Sequence, residues 1–232
     1  MVNKWTQDAF KEYAKTSNTA VMSSYNAAEF ADAIAKYTNK FETQEGLFFL
    51  AHMSLVPKIR KMLGDELKYT EAYIRTGAIG DVFGVPIYTS KAIPEGIIFL
   101  ATAEAVRAFI KRDTTVEQSR DIEHKKNTVV ASKYAVVALV NEDKCIECGK
   151  AQATDATITT YTKNQKTIAG AATTGATVTA YVNGKKTGTA ATASSSAYSI
   201  TADENLAVGD VVRVVAELEG YVKSIAEVTV VA

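Results

Sequence analysis

The chain has 232 residues, with 26 basic and 26 acidic side chains and therefore no net charge; 47% of residues are hydrophobic and 22% charged. That length accommodates two separate cores, and the charge balance argues against a protein whose main partner is nucleic acid, since such footprints are usually strongly basic. Met1 to Asp8 is polar where a signal peptide needs an apolar segment, and no run is long enough to span a bilayer, so a soluble protein made in the cytosol is expected.

Composition changes near residue 150. Every Phe, Met, Pro, Cys and His, and the only Trp, precede it; beyond it Thr, Ala, Val and Gly dominate. Such a break predicts two separately built modules, 1–150 and 151–232.

In the first module, Trp5, Phe10, Tyr13 and Val21 are expected to give one helix. Asn26 with Glu29 three residues on is a capping pair, and Phe30, Ile34 and Tyr37 follow on one helical face. Gly46 to Ala51 is a short apolar strand. Ser54 is expected to cap a second helix with Pro57 in its first turn, Ile59, Met62 and Leu63 on one face and Gly64 as the stop.

From Gly77 to Ser90 glycines alternate with β-formers, and Pro86 marks an edge or irregular strand. The glycine spacing is not that of a dinucleotide-binding loop. Lys91 to Gly96 turns into a strand at Ile97–Ala101, and Thr102 to Ala105 is expected to open a short helix carrying Val106, Phe109 and Ile110. The Thr115–Asp121 segment then leads, through the charged stretch Glu123–Asn127, into two strands around Val129 and Val137.

Cys145 and Cys148 form a lone C-x-x-C. It lacks the further ligands of a zinc site and the following helix of a redox pair, so two ordinary reduced thiols at a strand end are expected. His52 and His124 have neither a Ser/Asp partner nor metal-ligand spacing. No enzyme activity, metal or cofactor is expected.

The order of elements from Gly77 to about Glu147 resembles the C-terminal half of tailed-bacteriophage major capsid proteins, the Hong Kong-type capsid fold. The matching residues are the glycine run Gly77–Gly84 closing in Gly84-Val85-Pro86, then Thr89-Ser90, Val116-Glu117 with Arg120-Asp121, and Tyr134 to Asp143. Upstream, Leu47 to Gly64 is similar to that family's strand and Ser-x-x-Pro helix. The resemblance implies an α+β shell subunit with A-domain and P-domain elements, in which Glu117, Arg120, Asp121, Lys125 and Lys126 are candidate intersubunit charge contacts. Singly, such surface pairs are worth little. Members of that family normally carry an N-terminal arm, an extended loop and a spine helix before this region. The short stretch upstream of Asn26 has no room for them, so this polypeptide alone is not expected to build a stable shell.

The second module reads as about seven short strands, the pattern of a β-sandwich. Thr177–Val182 alternates strictly, Asn183-Gly184 is a hairpin turn, and Lys185–Thr192 returns as a polar, edge-like strand. Ala197–Ile200 is another strand. Leu206–Asp210 turns into Val211–Glu219, where Val212, Val214, Ala216 and Leu218 share a face, and Ala226, Val228 and Val230 line the last strand. Ile168-Ala169-Gly170, Gly175 to Val178, Val182 to Lys185, Leu206 to Asp210 and Val228-Thr229-Val230 resemble bacterial immunoglobulin-like domains. The resemblance implies an all-β sandwich following the capsid-type domain, either as a spacer or as a weak binder of cell-surface glycans. Tyr161, Tyr181, Tyr198 and Tyr221 could supply stacking surfaces, Tyr181, Tyr198 and Tyr221 being the candidate surface-binding set; cross-strand packing is their more usual role.

Together these readings predict a virion capsid protein assembled in the host cytoplasm. Its partners would be itself, in capsomers and shell, other virion proteins and, through the Ig-like domain, cell-surface glycans; no membrane or sequence-specific nucleic acid is expected. The alternative is a bacterial cell-surface adhesion protein using the same sandwich, which predicts an export signal or an anchor.

Overall fold

The computed structural model describes residues 4–63, 78–159 and 161–232. In chain order it contains α1 (Lys4–Tyr13), β1 (Thr19–Val21), α2 (Ala27–Phe41), β2 (Leu47–His52), α3 (Val56–Leu63), β3 (Ala78–Val82), β4 (Val85–Ser90) and β5 (Ile98–Thr102). There follow β6 (Val106–Asp121), β7 (Lys126–Leu139), β8 (Cys145–Gly149), β9 (Thr167–Ala171), β10 (Thr177–Val182), β11 (Lys185–Thr192), β12 (Ala197–Thr201), β13 (Val211–Glu217) and β14 (Ser224–Thr229). The expected stop at Gly64 and the first glycine of the run, Gly77, lie outside the described residues.

A mixed six-stranded sheet in the order β1-β8-β5-β2-β4-β3 forms the centre of the first 150 residues. Both of its faces are covered. On one, Phe49, Ala51, Ile87, Ile98, Leu100, Ile146 and Cys148 pack against Phe30, Ile34 and Tyr37 of α2 and Ile59 of α3. On the other, Leu50, Phe99, Ala101 and Cys145 meet Tyr13 of α1 together with Ile93, Ile97 and Ala105. Burial on both faces is why β2 and β5 read as continuous apolar runs rather than alternating ones. The α2 cap forms as read: the Glu29 amide donates to Asn26 Oδ1 (2.9 Å), and the Glu29 carboxylate accepts from the Asn26 backbone.

Several local expectations are corrected. Val21 lies in β1, not in the first helix. Ser54 does not cap α3; it sits inside a single 3₁₀ turn, Met53–Leu55, whose cap is His52, with Nδ1 accepting from the Ser54 amide. Of the two alternatives for Pro86, the edge is excluded because β3 lies outside β4, while the β3–β4 ladder is irregular, with a register shift between Ala78 and Gly80. The proline is tolerated because the β2 ladder begins one residue later, at Phe49↔Ile87, so its missing N–H breaks no bond to β2. The cysteines form their own central strand, β8, rather than ending the preceding one.

The largest correction concerns Val106, Phe109 and Ile110. Only Ala103–Ala105 makes one 3₁₀ turn, and Thr102 gives it no side-chain cap. The three apolar residues belong to β6, and the two strands expected around Val129 and Val137 are one continuous β7. β-Branched residues along both segments and a ladder running from Val106↔Leu139 to Asp121↔Lys126 outweigh a weak, uncapped helix signal.

Beyond residue 150, a four-stranded sheet (β11-β10-β13-β14) faces a two-stranded one (β12-β9). Ile168, Tyr198 and Ile200 from the small sheet share a core with Val178, Ala180, Val212, Val214 and Ala216 from the large one. Six strands, not seven, are present there among the described residues. β11 is an edge, as its polarity suggested, and Asn183 and Gly184 both adopt positive φ in the β10–β11 turn.

Candidate assembly surface

Among the described residues β6 and β7 pair only with each other, forming a two-stranded ribbon. Sixteen residues of β6 give it a length of about 50 Å. Its base is anchored: Val106 and Leu139 pack on the α1 side of the central sheet, and the Leu139 amide donates to Glu12 Oε2 (3.2 Å). α1 lies along the ribbon's lower part, where Asp8, Lys11 and Glu12 line a groove with Lys133, Ala135, Val136 and Val137; among the described residues no third strand pairs with it. A two-stranded ribbon of this kind is marginal by itself in water.

Its exposed side chains are unusual for such an element. Val116, Ile122 and Tyr134 are 62%, 81% and 57% exposed, and Phe109, Ile110, Val129, Val130 and Val136 are exposed as well. Val129 and Val130 are consecutive and so point to opposite faces, which leaves apolar groups on both sides. Each face offers roughly 500 Å² of strand surface, and two faces reach the roughly 800 Å² per partner of a standard protein interface. Exposed apolar side chains in this number on one element make it a candidate interaction surface.

The ribbon also gathers the charged residues singled out in the sequence. Arg120 pairs in register with Asn127, Asp121 with Lys126, and Lys125 occupies the turn with φ +53. Arg120, Asp121, Lys125 and Lys126 thus stand at the distal tip. Glu117, opposite Val130, lies part-way down. Arg120, Lys125, Lys126 and Glu117 are exposed. Midway, Lys133 and Asp113 form a cross-strand pair at 2.9 Å, and that hydrogen bond holds the Asp113 carboxyl below its usual range. What the sequence reading missed is the apolar content between the charges; the signal was there in the alternation of Val116, Val130, Tyr134 and Val136, but it was divided between an expected helix and two short strands.

The tyrosines divide. Tyr198 is only 5% exposed and donates to the Thr157 carbonyl (2.7 Å), so it packs inside the sandwich and offers no stacking face; burial pushes its hydroxyl pKa up. Tyr161 is buried too, donating to the Ala169 carbonyl. Tyr221 is partly exposed. Tyr181 lines a groove of about 410 Å³ with Ser17, Glu142, Arg213, Glu217 and Lys223.

Cys145 and Cys148 face opposite sides of the central sheet, in different apolar clusters. They therefore make neither a vicinal redox pair nor half a metal site. Burial raises the pKa of both thiols, that of Cys148 to about 12, which leaves them protonated and unreactive. Among the described residues no group of three or more His, Cys, Asp or Glu is placed to hold a metal ion. No helix among them is long and apolar enough to cross a membrane.

No protein-family model matches the chain. Over 88 residues it is 31% identical to the major capsid protein of Staphylococcus phage phiMR11; the match takes in 38% of this chain and 30% of that protein. The chain thus spans less than a third of the curated relative it matches. Among solved structures, the capsid of cyanophage P-SCSP1u superposes with a TM-score of 0.47 at 14% identity, over 62% of this chain and 60% of that one. A structure from Mycobacterium phage Che8 superposes with a TM-score of 0.44 at 15% identity, over 61% and 55%. Superpositions at this level carry no fold assignment; the shared sequence is what links part of this chain to a phage capsid protein.

Proposed function

We propose that the chain is a structural, non-enzymatic subunit of a tailed-phage or prophage head, acting by self-association in the virion shell and assembled in the host cytoplasm. The observation that carries this reading is the 31% identity to a phage major capsid protein. The ribbon supplies a physical means, because it is long and exposes apolar side chains on both faces, and among the described residues no third strand pairs with it. A shell subunit needs such an element, since its folding is completed by neighbours. The central sheet with its helices and the ribbon would then serve as the A-domain and P-domain parts. The segment 151–232 would be an immunoglobulin-like domain displayed on the particle surface, a reading supported by its two facing sheets. Tyr181 and Tyr221 are the tyrosines left to contact surface glycans.

The test is light scattering of the full chain across a wide concentration range, with negative-stain microscopy of the associated fraction. Concentration-dependent rings or capsomers, lost on Val116→Lys with Val130→Lys, are expected. A folded monomer at every concentration, unchanged by those substitutions, would overturn the assignment.

A further inference from the structure

Residues 14–18, between α1 and β1, form a strap held from two sides. From the N-terminal side, the Thr16 hydroxyl lies 2.9 Å from the Cys145 carbonyl and 3.1 Å from that of Glu142, and the Asn18 amide group donates to the Glu142 carbonyl (2.8 Å). From the C-terminal side, Lys223 donates to the Ala14 carbonyl and Arg213 of β13 to the Ser17 hydroxyl. Lys223 also stands 3.5 Å from the Glu147 carboxylate, and its amide donates to the same carboxylate (3.2 Å). Glu147, on β8, is 3% exposed. Nearby, the Lys150 carbonyl accepts from the Val222 amide (2.8 Å), and a Cβ on Gly96 would lie only 3.0 Å from Gly220 Cα. β13 and the turn before β14 are therefore seated tightly against the strap, β8 and the Gly96 turn.

The strap continues directly into α1, and α1 supports the base of the ribbon through Glu12 and Tyr13. We infer that the C-terminal sheets govern the exposed ribbon: by gripping the strap through Lys223 and Arg213 they fix α1, and α1 fixes the ribbon's base. Residues 151–232 are then a conformational governor of the assembly surface as well as an appendage. The importance of this for a shell rests on the ribbon being the assembly surface; the coupling itself does not.

Amide exchange on the full-length chain tests it. Lys223→Met leaves the Glu147 carboxylate buried with no cation beside it, the costly way to break such a pair. Exchange at residues 14–18 and at the Leu139 amide is expected to accelerate on the order of a hundredfold, with β10 and β13 unchanged and Lys223→Arg restoring most of the protection. Acceleration confined to residues 221–224 would overturn the coupling. If Lys223→Met unfolds the C-terminal sheets, seen as lost protection in β10, then Arg213→Met decides: faster exchange at Leu139 supports the coupling, and an unchanged Leu139 refutes it. Light scattering on the same samples separates the two readings. A monomer showing the coupling removes the shell assignment alone, and an associating chain without it removes the governor alone.

Discussion

The central sheet and the ribbon are built from the same β-forming residue types, yet they meet water in opposite ways. β5 and β8 are buried along their whole length, covered by helices or loops on both faces. β7, with Val129, Val130, Tyr134 and Val136, is open or half-open along its whole length. The sheet satisfies its own apolar surface and the ribbon does not. Strand-forming composition therefore decides that a strand forms; the presence of a cover decides whether it stabilises the chain or recruits a partner.

Substitutions should separate the two regions. Leu100→Ala, in the middle of β5 and fully buried, is expected to destabilise the chain by about 3 kcal/mol or more, read by denaturant unfolding. Val116→Ala in the ribbon should stay within about 0.5 kcal/mol of the parent. A ribbon substitution as costly as the sheet one would mean that the ribbon is covered within its own chain. The charged pair Val116→Lys and Val130→Lys sharpens the contrast: association should be abolished while the unfolding midpoint of the monomer barely moves.

Acid should also move the two regions in opposite directions. Burial raises the Glu147 pKa above 4.5, with Lys223 opposing it. A raised folded-state value means that the contribution to stability is fully present below about 4.5 and is lost as pH rises through the elevated value. Acidification towards about pH 4.5 should thus tighten the second face of the sheet, and Glu147→Gln should flatten that response in pH-dependent melts. Asp113 on the ribbon is depressed below 3.8 by Lys133; its contribution is present above 3.8 and disappears as pH falls through the lower folded value. Exchange of the ribbon amides near Asp113 should therefore rise only in strong acid. The smallest effect belongs to the tip. Arg120→Ala or Lys126→Ala should change monomer stability by a few tenths of a kcal/mol at most and show itself as weaker association, more so at low salt.

Much of the architecture was legible because local signals agreed with the tertiary outcome. The Asn26–Glu29 cap, the Asn183-Gly184 turn and the alternation of Val212, Val214 and Ala216 each name their structure at short range. What could not be read depends on distant contacts. Val106, Phe109 and Ile110 have helical spacing, and only their partners Leu139, Val136 and Ala135, some thirty residues away, make them a strand. For Tyr198 the sequence left surface contact and cross-strand packing both open, and its hydrogen bond to the Thr157 carbonyl decides for packing. The charged residues at the tip stood out in the sequence because charges are conspicuous. The apolar ribbon behind them did not, because exposed valines look the same in a sequence as buried ones.

The arrangement of β8 makes the protein its own two-channel gauge. Its two thiols are three residues apart, yet each is sealed in a different compartment, Cys148 beneath α2 and α3 and Cys145 beside α1. A thiol reagent can reach one only when the helices on that side lift away. The separate labelling rates of Cys145 and Cys148 would therefore time the opening of the two faces independently, with no probe added, and show which side loosens first.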